Sequence, residues 1–182
     1  MRMHVKAKKM AFSGMLLALT IVCMLLGSII ETSTLFLLAA ASFFVGIVLR
    51  EFGEKTGTAF YLAGVLLGLI AAPNKFYVVS YAAMGLYILV IELAWPRLGK
   101  LSENRNRRRM FWVLKYIVFN LIYIPAVLFF QELLFARKLS AGVLLGVLAA
   151  GQVGLFIYDR AYEYVQRELW NKFRGRLFRS GN

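Results

Sequence analysis

Two groups of polar side chains recur at helical spacing inside otherwise apolar stretches of this chain. Asn74, Tyr77 and Tyr81 follow one another at i, i+3 and i+7, which places them on one face of an α-helix. Asn120 and Tyr123 lie at i and i+3 on a later stretch and also share one helix face. Aromatic rings with a few fixed polar groups suit a small planar ligand, so these five residues are candidates to line a pocket. The alternative is that the tyrosines form an interfacial belt and Asn120 bonds a neighbouring helix.

Three charged residues extend these groups. Glu92 continues the face of Asn74 and Tyr81, and Lys115 lies at a similar depth on the next apolar stretch. Consecutive antiparallel helices would bring them together, so we expect a structural ion pair rather than a proton relay. Glu31, which follows the first apolar stretch, is a further candidate that either caps the ligand or is simply solvated.

The chain has few of the residue types that catalysis or metal binding requires. The only histidine is His4, the only aspartate is Asp159 and the only cysteine is Cys23. A Ser-His-Asp set, a carboxylate-rich metal site and a thiolate cluster are therefore excluded, and the chain has no Gly-rich phosphate loop. We predict that the protein is not an enzyme and needs no metal or cofactor, and that an ATP-driven role would need a separate ATPase.

The elements that must position the candidate residues are membrane helices. The chain is 60% apolar and 17% charged, with a mean hydropathy of +0.68, whereas soluble domains average about 45–50% and about 25%. A helix needs about 20 apolar residues to cross a bilayer. Stretches near this length lie at residues 10–30, 33–49, 57–73, 76–95, 110–130 and 139–158. They predict an all-α integral membrane protein, a bundle of six transmembrane helices.

The basic residues predict an orientation. With a cytoplasmic N-terminus, 19 of the 22 Lys and Arg residues lie on the inner side, as the positive-inside rule requires. The outer side keeps Lys75, Arg137 and Lys138. Both termini are therefore predicted to be cytoplasmic in a multi-pass cell-membrane protein, and the net charge of +13 reflects topology rather than nucleic-acid binding.

We also predict a division at residue 160. Residues 1–160 form the transmembrane domain, and residues 161–182 form a basic cytoplasmic tail. From Tyr158 onward the apolar spacing predicts an amphipathic helix, which either lies on the inner lipid surface or docks on a partner. The basic stretch at residues 105–109 should attract anionic lipid headgroups.

Small residues form a stripe on the first helix. Ala7, Ala11, Gly14 and Ala18 share one face, and such a stripe lets another helix approach closely. The partner helix belongs either to this bundle or to another membrane subunit.

One apolar decapeptide occurs twice. Residues 63–72 read AGVLLGLIAA and residues 141–150 read AGVLLGVLAA. The match is either the trace of an inverted repeat of three helices each or a product of the few residue types that apolar helices use. In both copies the glycine spacing predicts a close helix contact.

These features together resemble the S components, the substrate-binding membrane subunits, of energy-coupling factor transporters. The resemblance rests on chain size, on six spans with both ends inside, on the basic run into KKMAFSGMLLA at residues 8–18, and on the Ala7-x-x-x-Ala11 motif. It covers the whole chain in topology and about the first twenty residues in motif.

The resemblance implies function and partners. Ala7, Ala11, Gly14 and Ala18 would face a transmembrane T subunit that works with two cytoplasmic ATPase subunits. The substrate would be held near the outer face by the first outer loop and the later helices. Because the N-terminus lacks a histidine-rich metal signature, a small organic, vitamin-like micronutrient is favoured. The alternative is a non-transporting membrane scaffold or cell-envelope assembly protein that resembles the MreD type.

Overall fold

The described part of the chain is helical throughout. A computed structural model describes residues 2–101, 104–129, 140–170 and 172, and these contain six α-helices and no strand. The helices are α1 (Arg2–Ile29), α2 (Thr34–Phe52), α3 (Glu54–Ala71), α4 (Lys75–Leu101), α5 (Asn104–Phe129) and α6 (Ala141–Tyr164). The 3₁₀ turn Glu31–Ser33 joins α1 to α2, and the π-helical segment Val165–Trp170 continues α6. Each of the six predicted stretches coincides with one of these helices.

Five of these helices are long and apolar enough to cross a bilayer. The spanning segments are Lys9–Ile29, Thr34–Phe52, Lys75–Leu98, Asn106–Leu128 and Ala141–Glu168. The remaining helix, α3, has 18 residues and begins with the charged pair Glu54 and Lys55. Large apolar side chains on the spanning helices are exposed, for example Phe36 at 75%, and hydrocarbon is the solvent that such a surface suits. The helices indicate a multi-pass membrane protein.

The chain divides into two compact units, Met1–Leu101 and Ser102–Asn182. In the first unit α2 packs against α1, α3 and α4, and its residues Leu38, Ala41, Val45 and Val48 are fully buried. Because these side chains are apolar or small, α2 can be enclosed on several sides without burying a charge. The second unit contains α5 and α6.

A single glycine reverses the chain between α2 and α3. Gly53 has φ 88°, in the left-handed region that glycine adopts at little cost. Its N–H donates to the Leu49 carbonyl at 3.0 Å and closes α2. One turn later Gly57 lies so close to Leu49 that a Cβ would overlap the Leu49 side chain. The short turn thus forces α2 and α3 together.

Two ion pairs join the helices of the first unit near the end of α2. Arg50 of α2 holds Glu92 of α4 through both carboxylate oxygens, with Nε at 2.9 Å from Oε2. Arg97 of α4 reaches Glu54 of α3 at 3.1 Å. Glu92 therefore has a partner within its own unit, and the predicted pair between Glu92 and Lys115 stays a prediction. The planar Arg50 guanidinium on the neighbouring helix matches the carboxylate with two parallel hydrogen bonds.

The segment that follows residue 158 has a buried side. Asp159, Tyr162, Gln166 and Trp170 are all buried. Of the predicted apolar face, Tyr162 is buried and Tyr158 is half-buried, whereas positions 173 and 177 lie outside the described residues. The predicted boundary at residues 160 and 161 stays a prediction, since α6 continues through it to Tyr164.

Candidate functional site

Asn74 and Tyr77 lie together at the turn between α3 and α4. The Asn74 Oδ1 accepts a hydrogen bond from the Phe76 N–H at 3.0 Å and so caps α4. Both residues line an open depression of about 580 Å³, which also includes Ser28 and Phe76. The side chain of Asn74 is exposed and that of Tyr77 is half-buried. The structure therefore brings two of the predicted site residues to one surface.

Lys75 lies at the same turn and closes the preceding helix. Its Nζ donates to the Ala72 carbonyl at 2.9 Å and also to the Leu69 carbonyl. A cation is favourable at a helix C-terminus, where carbonyl groups lack partners within the helix. Together Asn74 and Lys75 fix how α3 leads into α4.

Tyr81 lies deeper, in the interior of the first unit. Its side chain is 0% exposed, and its hydroxyl has no hydrogen-bond partner among the described residues. The ring lies 6.4 Å from that of Tyr61, whose own hydroxyl donates to the Ala82 carbonyl at 3.0 Å. A buried polar group without a partner costs about 1–3 kcal/mol. Tyr81 thus presents one unused O–H donor among helices.

Glycines make room for both tyrosines. A Cβ on Gly64 would overlap the Tyr81 hydroxyl, and the Tyr61 ring packs directly against Gly85. Tyr81 of α4 packs against a glycine of α3, and Tyr61 of α3 packs against a glycine of α4. Each helix therefore receives one tyrosine ring from the other. Gly68 of α3 also lies close to a neighbouring helix, since a Cβ there would crowd the Met24 sulfur of α1. The close contact predicted for the first decapeptide is confirmed.

The second decapeptide is different. No described atom lies within 4 Å of the position that a Cβ would take on Gly142 or Gly146, and both glycines are exposed. The predicted close contact is therefore absent from the described residues of α6. Two nearly identical sequences occupy different environments, because packing depends on the neighbouring helix.

Asn120 and Tyr123 join α5 to α6 in the second unit. The Asn120 and Gln152 amides exchange hydrogen bonds of 2.8 and 3.3 Å. The Tyr123 hydroxyl donates to the Val147 carbonyl at 2.7 Å, and its ring fits against Gly151. In the structure Asn120 bonds a neighbouring helix, as one of the two interpretations expected. A role in ligand binding for these residues stays a prediction.

A buried charge cluster that the sequence does not predict also joins α5 to α6. Lys115 Nζ lies 2.7 Å from Asp159 and 3.2 Å from Glu163, and the Lys115 and Asp159 side chains are 3% and 0% exposed. The ammonium also lies 4.7 Å from the Phe111 ring centroid and 5.0 Å from that of Trp112. The available signal was the sole aspartate inside an apolar helix, because an intramembrane charge requires a partner.

The small-residue stripe on α1 is exposed in the part of the chain that the structure describes. Ala7, Ala11, Gly14 and Ala18 are all exposed, and no described atom lies within 4 Å of a Cβ placed on Gly14. Intramolecular packing of this stripe, one of the two expectations, is not observed among the described residues. Glu31 begins the 3₁₀ turn after α1, and its side chain lies outside the described set.

The described residues contain no group of three His, Cys, Asp or Glu side chains that could hold a metal ion.

Comparisons with protein-family models, with curated proteins and with solved structures find no match for this chain.

Proposed function

We propose that this chain is the substrate-binding subunit of an energy-coupling factor type importer, which captures a small organic, vitamin-like micronutrient at the outer face of a bacterial cell membrane. The observation that carries the proposal is the Tyr81 hydroxyl, fully buried and without an acceptor among the described residues. A bundle that needed only to pack would be more stable with phenylalanine there, since an unused buried donor costs free energy. A ligand atom is the acceptor that such a donor lacks.

The route to Tyr81 starts at the turn between α3 and α4. With six transmembrane helices and both termini cytoplasmic, this turn faces outward and contains Asn74 and Tyr77. Tyr81 lies less than two helical turns further along α4, about 9 Å at the usual rise per residue. A ligand that enters beside the open depression would need to displace only the local packing of α3 and α4 to reach the phenol.

Two further groups of residues take different roles in this proposal. Asn120 and Tyr123 already use their polar atoms between α5 and α6, so in this proposal they hold that helix pair together and do not donate to the ligand. The exposed stripe on α1 supports docking of a T subunit, because small residues permit close helix approach. Two cytoplasmic ATPase subunits would supply the energy.

Removing the Tyr81 hydroxyl should separate ligand binding from folding. We expect Tyr81→Phe to leave the free energy of unfolding unchanged or to raise it by up to about 2 kcal/mol, and to lower ligand affinity about tenfold. The ligand is first released from purified protein by denaturation and identified by mass spectrometry. It is then titrated against both proteins.

Tyr61→Phe is the matched control. It removes the same hydroxyl from a neighbouring ring, but this hydroxyl already donates to the Ala82 carbonyl. We expect it to lower stability by about 1 kcal/mol and to leave ligand affinity unchanged. The proposal is wrong if Tyr81→Phe binds the ligand as tightly as the wild type. A scaffold of the MreD type would carry no ligand through purification at all.

A further inference from the structure

We propose that the ligand meets Tyr81 with an uncharged hydrogen-bond acceptor on a flat ring, such as a ring carbonyl oxygen or a ring nitrogen that carries no proton. The proposal rests on the function proposed above, since it takes the Tyr81 hydroxyl as the donor to a ligand. The hydrogen bonds, the charges and the aromatic surfaces of the first unit together define this chemistry.

The Tyr81 hydroxyl needs an acceptor more than it needs a donor. A phenol O–H donates a hydrogen bond readily, whereas its oxygen is a weaker acceptor because a lone pair is delocalised into the ring. Tyr61 on the neighbouring helix uses its hydroxyl as a donor, to the Ala82 carbonyl at 3.0 Å. No described group accepts from Tyr81. The ligand atom at this position is therefore an acceptor.

The interior around Tyr81 is uncharged in the part of the first unit that the structure describes. Besides the tyrosines, the buried polar side chains there are Thr20 and Ser42. Their hydroxyls already donate within their own helices, to the Leu16 carbonyl at 2.9 Å and the Ala39 carbonyl at 2.6 Å. A carboxylate or phosphate beside Tyr81 would be buried against one neutral donor, and burying an unpaired charge is costly. The acceptor is therefore uncharged.

The nearest described charges on α4 are engaged elsewhere. Glu92 is held by Arg50 and lies about 16 Å beyond Tyr81 along the helix, at the usual rise per residue. At the other end, the exposed Lys75 ammonium donates to two carbonyls at the end of α3. Neither charge pairs with a ligand group at the depth of Tyr81.

The open depression at the turn between α3 and α4 also offers donors. The Asn74 Oδ1 already accepts from the Phe76 N–H at 3.0 Å, which leaves the amide N–H groups to face a ligand. The Ser28 hydroxyl in the same lining donates to the Leu25 carbonyl at 2.6 Å. A ligand with acceptors along one edge therefore finds donors at the mouth as well as at Tyr81.

The surfaces beside Tyr81 favour a flat ring. The Tyr61 and Tyr81 rings lie 6.4 Å apart with 31° between their planes. Gly64 and Gly85, which these rings contact, add no side chain to the walls. Aromatic rings attract another ring in offset or edge-to-face arrangements beyond the area that they bury. A planar ring therefore fits this place better than a flexible chain.

Four bicyclic aromatic probes of similar size test the ligand class. Quinoline has a ring nitrogen acceptor, naphthalene has no polar group, indole has an N–H donor and naphthoate is an anion. The full chain, labelled with fluorotyrosine, is purified in detergent and dialysed extensively. Fluorine NMR then follows the Tyr81 signal, which is assigned by its absence from Tyr81→Phe. We expect quinoline to shift this signal saturably and to bind about tenfold more tightly than naphthalene, indole or naphthoate.

Tyr81→Phe and Tyr61→Phe form the matched pair of variants. In Tyr81→Phe, followed through the Tyr61 signal, we expect quinoline to lose its tenfold advantage over naphthalene, because the donor is gone. In Tyr61→Phe the advantage should be unchanged, because that hydroxyl donates to Ala82. Comparing the two probes on each protein cancels their different partitioning into the detergent micelle. Denaturant unfolding of both variants shows that the first unit is folded.

The outcomes separate this proposal from the transport function. A quinoline preference that depends on Tyr81 supports the ligand class even if no T subunit or ATPase associates with the chain. Tighter binding of naphthoate, or of indole, with loss in Tyr81→Phe would overturn the uncharged acceptor while leaving a binding function at Tyr81. A Tyr81 signal that no probe shifts would overturn the role of this hydroxyl as a ligand donor, and with it both proposals.

Discussion

We expect Lys115→Met to destabilise the pair of helices α5 and α6 by about 3–5 kcal/mol. The substitution leaves Asp159 fully buried with a negative charge and without the ammonium that lies 2.7 Å away in the wild type. Glu163 keeps its contact with Arg160 at 3.4 Å, so the loss is concentrated on Asp159. Denaturant unfolding in detergent micelles, followed by tryptophan fluorescence, measures the change.

A double variant distinguishes the ion pair from the other packing of Lys115. Lys115→Met with Asp159→Leu removes both charges and keeps apolar volume at both positions, so we expect it to recover most of the lost stability. Lys172→Met, which removes an exposed cation from the same unit, should change stability by less than about 0.5 kcal/mol. If the double variant were as unstable as Lys115→Met alone, the buried pair would not explain the effect.

Gly64→Ala should destabilise the first unit by about 1–3 kcal/mol. The added methyl group would overlap the Tyr81 hydroxyl, and because the ring is fully buried, moving it aside would disturb the side chains packed around it. The overlap outweighs the better helix propensity of alanine, which is worth about 1 kcal/mol. Denaturant unfolding followed by tryptophan fluorescence measures this change in the free energy of unfolding.

The repeated decapeptide supplies the control within the same chain. Gly142→Ala makes the corresponding change in α6, where no described atom lies within 4 Å of the new methyl group. We expect it to be neutral or slightly stabilising, because only the propensity gain remains. Combining Gly64→Ala with Tyr81→Phe should recover part of the loss, since it removes the atom nearest the new Cβ. Equal effects of Gly64→Ala and Gly142→Ala would contradict the packing described for α3 and α4.

The helices were predictable from the sequence because their signal is local. Runs of apolar residues separated by short charged turns, such as the one from Arg50 to Lys55, mark where each helix begins and ends. Hydropathy does not depend on which helix lies beside which. Each predicted stretch therefore overlaps one of the helices α1 to α6, and five of these helices are long and apolar enough to cross a bilayer.

The side-chain partners were not predictable in the same way. The similar depth of Glu92 and Lys115 predicts an ion pair, but depth does not specify helix rotation or which helices are neighbours. In the sequence Arg50 is one of the basic residues that indicate topology, whereas in the structure it pairs with Glu92. Asp159 was the one aspartate in the chain, and only the packing of α5 against α6 shows that Lys115 holds it.

The glycines show the same limit. In the sequence, Gly64 and Gly142 have nearly identical neighbours. The structure puts Tyr81 against one and no described atom near the other. Likewise, the unused Tyr81 hydroxyl is visible only when its surroundings are known, since a tyrosine in an apolar helix usually finds a partner.

The most direct test of the proposed function is affinity purification of the tagged chain from its native membranes. If the chain is the binding subunit of an energy-coupling factor type importer, it will bring down a hydrophobic membrane protein and two ATPases in near-equal amounts. Ala11→Leu will abolish that association, since it adds bulk to the exposed small-residue stripe on α1. Recovery of cell-envelope assembly proteins without ATPases, or unchanged association of Ala11→Leu, would contradict the account.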